Sequence, residues 1–522
     1  MVILLLSSLL DSFNLVAGNI TCFQIRSETI IKIKLYSMRK INYFIILLSG
    51  LVSAQTTFTL VKDIYTGAVG SVPSNLTVYN GKLYFSANSL VNGTSIGNEL
   101  WESDGTEIGT KLVADIIPGS SSSSLSGLYV FNNKIYFSGS NFINGSVVTG
   151  LVQSYDETNG VQIVSSISKY STNFTQVGNR LYYKSTNTSV TPNTQRLFYI
   201  EGNAQPAIAD DNLNVNTIGF VGDKLIANAQ FANAASPFLT QLFGFDGSSS
   251  SLIKAINPTT SSYPQYFTYS AALGKTFFNA NGGNGAEPWM TDGTEAGTTL
   301  VKDINISSAS AGSGPINFTE YQGKVYFTAS DGLTSGSELW VTDGTEQGTK
   351  MLKDIVPGTT GSFPEKLTVY KDKLYFFATN ASNVKYFWET DGTDAGTKAL
   401  APVASPSGLI VYNDKLYLSG RISNTDTIGA ELYQVILPTE TLAVPESAQK
   451  AVIYPNPTTG NVFVSNIEEG NFEVYELSGK LVQGGTFSSY RIMMTSPKGT
   501  YILKVSSAKQ KNNSLSTKII IQ

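Results

Sequence analysis

A basic residue that opens an aromatic-rich run returns eight times along the chain, at Lys82, Lys134, Arg180, Lys224, Lys275, Lys324, Lys373 and Lys415. The mean spacing is about 48 residues, the length of a supersecondary unit that needs neighbours to bury its apolar face. Each copy, numbered here repeat 1 to repeat 8, reads as an apolar run, a polar turn and a second run of alternating character. Examples are "LTVYNGKLYFSAN" from Leu76 and "LTVYKDKLYFFAT" from Leu367. This pattern predicts a β-hairpin. A second string recurs out of phase with the first: "ELWESDGTEIGTKLVADIIPG" from Glu99, "EPWMTDGTEAGTTLVKDI" from Glu287, "ELWVTDGTEQGTKMLKDIVPG" from Glu338 and a trimmed "FWETDGTDAGTKALAP" from Phe387. Weaker forms, "RLFYI", "QLFGF" and "ELYQV", stand in other repeats. After a variable loop, this string supplies a third strand, a tight turn and a fourth strand.

Four strands per repeat is the content of a propeller blade, with a solenoid as the alternative. The two ends of the array decide between them. "TFTLVKDI" (Thr57 to Ile64) is a fourth strand without its first three, and "ELYQVILP" (Glu431 to Pro438) is a third strand without its fourth. Together they complete one blade and leave no exposed sheet edge. The expectation is therefore an all-β chain: an eight-bladed β-propeller of four-stranded blades over residues 55–438, closed by the N-terminal strand, with a small C-terminal β-sandwich after it.

The DGT triplets lie between third and fourth strands: Asp104, Gly105 and Thr106; Asp292, Gly293 and Thr294; Asp343, Gly344 and Thr345; Asp391, Gly392 and Thr393. Asp accepts from amides two residues on, Gly supplies positive φ, and Thr adds a hydroxyl. The triplets read as a structural turn motif, similar in role to the Asp-box turns of other propellers. Calcium loops alternate more oxygen ligands than this string offers, so neither a metal nor a cofactor is expected. Counting back from the turn sets Glu287 opposite Lys302, Glu338 opposite Lys353 and, across the seam, Glu431 opposite Lys62, which predicts cross-strand ion pairs. Trp101, Trp289, Trp340 and Trp388 hold equivalent positions and are expected to pack between blades. The whole string resembles the ELWxxDGT-repeat proteins of Bacteroidota over roughly residues 57–438, a resemblance that implies a repeat scaffold and no established activity.

What the chain lacks narrows its chemistry. It has no His, which removes the usual general base, the His of a Ser or Cys triad and the commonest metal ligand. Its only cysteine, Cys22, lies upstream of "MRKINYFIILLSGLVSAQ", where Arg39 and Lys40 precede an apolar run and a small-residue cleavage site after Ala54. Residues 38–54 therefore read as a signal peptide and 1–37 as a mis-called upstream extension. The mature chain is expected to be free of disulfides and of a membrane span. Without residues 1–54, 30 basic and 37 acidic residues remain, a net charge of −7 with no basic patch, which argues against nucleic acid as a partner.

After a linker at 439–450 the composition changes. Residues 451–522 carry short alternating strands between turns, with "YPNPTTG", "VYELSGKLV", "GTYILKV" and "KIIIQ" in that order. This order resembles the C-terminal sorting domain of type IX secretion cargo in Bacteroidota, of the A-like type. The matching positions are Tyr454, Pro455, Asn456, Pro457, Gly460, Gly479, Gly499 and Tyr501. The resemblance implies export by the type IX machinery, with the protein released or attached at the cell surface. Binding of an unidentified protein or glycan on the face of variable loops is the function expected of the propeller. A lyase or glycosidase acting on extracellular glycan and a structural surface-layer protein are the alternatives, and no residue is singled out as catalytic.

Overall fold

Each of the eight marker residues begins a strand, from Lys82–Val91 in repeat 1 to Lys415–Arg421 in repeat 8, and each pairs antiparallel with the strand before it across a tight turn. The computed structural model describes residues 55–438 except 92, 190–193 and 233–238, and residues 453–522 except 455, 457, 459, 466, 468 and 508–513. The expected leader segments, 1–37 and 38–54, and the linker, 439–450, lie outside the described residues.

Six four-stranded antiparallel sheets and one of seven strands occupy residues 57–436. In repeats 1, 4, 5, 6 and 7 the sheet is four consecutive strands in chain order. The remaining four-stranded sheet takes three strands from repeat 8 and its fourth from Thr57–Lys62, which pairs antiparallel with Glu431–Ile436 and sets Leu60 opposite Tyr433. Repeats 2 and 3 depart from the expected separate units. Gly160–Val177 is a single 18-residue strand whose first half pairs with Ser146–Asp156 and whose second half pairs with Arg180–Asn187. Its sequence after Gly160 holds neither Gly nor Pro, whereas repeats 1 and 6 follow their fourth strands with Pro118-Gly119 and Pro357-Gly358. Positive φ at Tyr170 and Asn173 marks the change of partner. In repeat 1 the variable loop expected between the second and third strands is, from Asn88, mostly an extension of the hairpin formed by Lys82–Val91 and Thr94–Ser103.

The first strand of each repeat lies beside the first strand of the next, and Ser405–Tyr412 of repeat 8 lies beside Ser74–Tyr79 of repeat 1. Apolar side chains fill the space between neighbouring sheets. Tyr326 and Leu339 of repeat 6 pack with Phe376 and Trp388 of repeat 7, and Leu83, Phe85 and Trp101 of repeat 1 pack with Tyr417 and Leu432 of repeat 8 and with Val61 and Ile64. Trp289 and Trp340 sit in similar clusters. Covering each such side chain contributes about 1.5–3 kcal/mol, so the contacts between sheets carry much of the stability.

The tail forms a three-stranded sheet that includes Asn461–Val464 and a four-stranded sheet that includes Gly470–Glu476 and Ser514–Ile521. The two sheets share a core of Val462, Val464, Ile492, Val474, Leu503 and Ile519.

Candidate functional site

Each DGT triplet sits in a small hydrogen-bonded knot. In repeat 6, Asp343 Oδ1 accepts from Thr345 N at 2.9 Å and Thr345 Oγ1 at 2.7 Å, and Thr342 Oγ1 accepts from Gly344 N at 2.9 Å. Thr349 Oγ1 donates back to Thr345 O at 2.6 Å. Gly344 holds φ at 90°. A Cβ on Gly348 would lie 2.0 Å from Asp343 Oδ1, so the second glycine of the string is fixed by the aspartate it faces. Asp104, Asp292 and Asp391 accept in the same way from Thr106, Thr294 and Thr393, beside Gly105, Gly293 and Gly392. Hydrogen bonds from the threonine hold the Asp292, Asp343 and Asp391 carboxyls below the usual range. Asp156 and Asp246 keep the role where the string is lost, accepting from Asn159 N and Ser249 N, each at 2.8 Å.

The predicted cross-strand ion pairs are not formed. Lys353 pairs with Leu339 and Lys62 with Leu432, one residue away from the expected glutamates, because a register shift interrupts each pair. In a strand, one residue moves a side chain to the other face. Lys302 donates instead to Thr349 O of the next repeat at 2.9 Å, and Lys62, Lys254 and Lys353 reach across likewise to Thr110 O, Thr298 O and Asp394 O. The glutamates are fully buried and anchor the connector that follows the fourth strand. Glu287 accepts from Ile304 N at 3.0 Å, Asn305 N at 3.2 Å and Ser313 N at 2.9 Å. Glu99 accepts from Ile116 N and Ser123 N, both at 2.9 Å, and Glu431 from Ser71 N at 2.8 Å and from the Ser71 hydroxyl. Burial pushes the Glu99 and Glu431 carboxyls up to about 7 against the pull of these donors, and raises those of Glu287 and Glu338.

The serines gripped by Glu431, Glu287 and Glu338 belong to a Ser-x-Pro motif that sequence reasoning missed, Ser71-Val72-Pro73, Ser313-Gly314-Pro315 and Ser362-Phe363-Pro364, with a fourth copy at Ser262-Tyr263-Pro264, whereas Glu99 grips Ser123 ahead of Ser124-Leu125, where Ser124 holds the same positive φ. In repeat 4 the neutral Gln241 takes the place of glutamate, its Oε1 accepting from Ser262 Oγ at 2.8 Å. The serine carbonyl is also held, Ser362 O accepting from Thr379 N and Ser262 O from Asn281 N, both at 2.8 Å. With the serine tied on every side, the next residue turns outward with positive φ: 50° at Val72, 47° at Tyr263 and 52° at Phe363. These side chains are 42%, 56% and 55% exposed. They lie at the connector end of the sheets, opposite the end that bears the DGT turns.

In the tail, Asn456 ties its segment to the last strand, its Nδ2 donating to Lys518 O at 2.8 Å and its Oδ1 accepting from Ile520 N at 2.9 Å. Tyr454 stacks on Phe463, and Met494 N donates to Gly460 O. Gly479 turns between strands, and Tyr501, which follows Gly499 by two residues, donates its hydroxyl to Pro497 O. Pro455 and Pro457 lie outside the described residues.

Residues 452–522 match the family of secretion system C-terminal sorting domains. The chain is thus cargo of the type IX secretion system, a secreted protein destined for the cell surface or an association with the outer membrane. No curated protein matches the chain. Among solved structures it is similar to a protein from a study of two prolyl endopeptidases, with 12% identity over 78% of this chain and 56% of that one and a TM-score of 0.41. It is also similar to the β-propeller domain of the Trilobed protease from Pyrococcus furiosus, described as having an open velcro topology, with 9% identity over 64% of this chain and 98% of that one and a TM-score of 0.39. A third is the Pyrococcus horikoshii acylaminoacyl peptidase, with 9% identity over 68% of this chain and 59% of that one and a TM-score of 0.38. The chain spans little more than half the length of the first of these. Likeness at this level carries none of their chemistry over to it.

Proposed function

We propose that this chain is an exported binding module, a closed eight-bladed propeller of ELWxxDGT repeats whose connector face engages a protein or glycan outside the cell. Closure is supported by the pairing of Thr57–Lys62 with Glu431–Ile436 and by the cluster in which Leu83 and Phe85 meet Tyr417 and Leu432. A closed ring leaves only the short outer strand of each sheet as an edge, which suits a protein displayed at a surface, because long open edges recruit other chains.

The observation that carries the binding role is the positive-φ set. A bulky or β-branched side chain in that backbone region costs about 1–3 kcal/mol. Half-exposed as they are, Val72, Tyr263 and Phe363 recover little of this through burial. Repeat 5 places Gly314 at the same position, so glycine satisfies the scaffold there. Large apolar groups kept at such positions on a tied connector form a preorganised contact surface.

The test is a glycan array combined with a reducing-sugar release assay, run on the full chain and on a variant with Val72, Tyr263 and Phe363 all changed to Gly. Binding without sugar release is expected, with the triple variant losing binding while its thermal midpoint holds. Release of reducing ends would favour a lyase or glycosidase, and neither binding nor release would favour a structural surface protein. Full binding by the triple variant would place the contact elsewhere.

A further inference from the structure

Each buried glutamate that holds a connector faces a second acid. Continuing the ladder by one pair beyond Leu100 and Ala114 sets Glu99 opposite Asp115, and the same step sets Glu338 opposite Asp354 and Glu431 opposite Asp63. Glu287 and Asp303 hold these places in repeat 5. Like charges facing each other across strands oppose pairing, yet four repeats keep them. In the other four repeats the aspartate follows its partner. Neutral residues at the glutamate's place face no aspartate: Gln241 is opposite Ala255, Leu151 opposite Lys169 and Tyr386 opposite Pro402. Repeat 3 has lost the DGT string, but Asp211 remains where Arg196 takes the glutamate's place, and the two are ion-paired at 3.8 Å. Among the described residues, an aspartate stands here only opposite a group that can carry charge.

Two facing carboxyls are compatible when one of them holds a proton, and burial selects which one. Glu99, Glu287, Glu338 and Glu431 are fully buried, whereas Asp115, Asp303 and Asp354 are exposed and Asp63 is half-buried. Burial raises all four glutamates, and the facing aspartate adds to the rise at Glu99 and Glu338. Near Glu431, burial first and then Asp426, Glu431 and Asp63 push the Tyr433 hydroxyl up to about 12 against the pull of Arg421, so it stays neutral. The same glutamate oxygens grip the connector. Glu431 accepts from Tyr65 N at 3.2 Å as well as from Ser71, and Glu338 from Ile355 N at 3.2 Å, Val356 N at 3.1 Å and the Ser362 hydroxyl. A protonated carboxyl keeps one accepting oxygen for the amides and can give its proton to the serine oxygen. Gln241 has that form permanently, its Nε2 donating to Asn257 O at 2.6 Å and its Oε1 accepting from Ser262 Oγ. An ionised glutamate beside an ionised aspartate is relieved by turning out to water, which lets the connector go.

We propose that the four Glu–Asp pairs form a proton-operated clamp on the connector face: a protonated glutamate holds its connector, and loss of that proton to solvent frees the serine that precedes the contact position. Val72 and Phe363 follow clamped serines, whereas Tyr263 follows Ser262, held by the neutral Gln241. The connectors of Glu99 and Glu431 are held in mildly acidic solution and loosen as pH rises through about 7. The consequence for binding rests on the role proposed for that face. The clamp itself is read in the free protein, so the two can fail separately.

The test is amide hydrogen exchange on the full chain from pH 5 to pH 9, corrected for the intrinsic rate. It follows the amides of Ser71, Ser123, Ser313 and Val356, bonded to the four glutamates, and that of Asn257, bonded to Gln241. Protection at the first four should fall by up to about tenfold per pH unit above each midpoint, the dependence of one proton, while Asn257 stays level. Glu338→Gln copies repeat 4 and should remove the response at Val356 alone. Asp354→Ala, at an exposed position, should move the Val356 midpoint to lower pH and leave protection at pH 5 unchanged. Protection at the four amides as insensitive to pH as at Asn257 would overturn the proposal. So would a Val356 response that survives Glu338→Gln or keeps its midpoint in Asp354→Ala.

Discussion

The hydroxyl of Tyr412 donates to the carbonyl oxygen of Gly81 across 2.8 Å, joining residues 331 positions apart in the chain. The same bond runs between sequence neighbours, from Tyr79 to Asn133 and from Tyr370 to Asp414. Repeat 8 therefore treats repeat 1 as its successor. Tyr412→Phe keeps the ring and removes the donor, so unfolding experiments should show a loss of about 0.5–1.5 kcal/mol, close to that of Tyr370→Phe. No loss from Tyr412→Phe beside a clear loss from Tyr370→Phe would mean that repeats 8 and 1 are apart in solution.

Deleting Thr57 to Ile64 strips the fourth strand from the sheet of repeat 8. Val61 and Ile64 are buried against repeat 1, and each contributes about 1.5–3 kcal/mol if fully covered. Lys62 also loses its 2.8 Å bond to Thr110 O. A fall of many degrees in the thermal midpoint is expected, and an unchanged midpoint would refute the seam.

Gly348→Ala sets a methyl group into the space held by the Asp343 carboxylate, at 2.0 Å from Oδ1. The turn must open, at a cost of about 1–3 kcal/mol. Asp343→Ala should cost a comparable amount by freeing the Thr345 amide, and the double variant should cost less than the sum, because both act on one knot. Strict additivity in that cycle would show the two residues to be independent.

Stability should also depend on pH. The Glu99 and Glu431 carboxyls titrate near 7 when folded, raised from an ordinary 4.5, so the folded state holds their protons more tightly than the unfolded chain. Their contribution is complete below about pH 4.5 and is lost as pH rises through about 7. Asp292, Asp343 and Asp391 act in the opposite sense, being lowered, so their contribution is lost as pH falls below the ordinary carboxylate range. The thermal midpoint is expected to decline between pH 5 and pH 8, and Glu431→Gln should flatten part of that slope, since Gln241 already fills the equivalent position in repeat 4. A midpoint that rises over this range would mean that the amide donors keep the glutamates ionised.

Removing the residues after Ser447 tests the tail. The truncated chain should fold and remain in the periplasm, because the sorting domain matched at 452–522 is absent. Normal delivery of that truncation to the surface or the medium would separate export from the tail.

The eight hairpins were legible because each is local: an apolar run, a turn and the basic marker residue, read within about a dozen residues. The DGT turn was legible for the same reason. The role of Glu287 was not, because its partners at Ile304 and Ser313 lie 17 and 26 residues on, across a loop of changing length. Counting pairs outward from the turn assumed an unbroken ladder, and a register shift between Leu339 and Trp340 breaks it. The Ser-x-Pro motif stands in the sequence too, but inside connectors read only for their variable length.

The unbroken strand Gly160–Val177 gives repeats 2 and 3 a common backbone. Neither sheet can release its amides to solvent along that strand without disturbing the edge on which the other is built. Hydrogen exchange there would report one cooperative block of seven strands where the neighbouring sheets open four at a time, so the size of the unit that opens together is set by a missing proline and glycine.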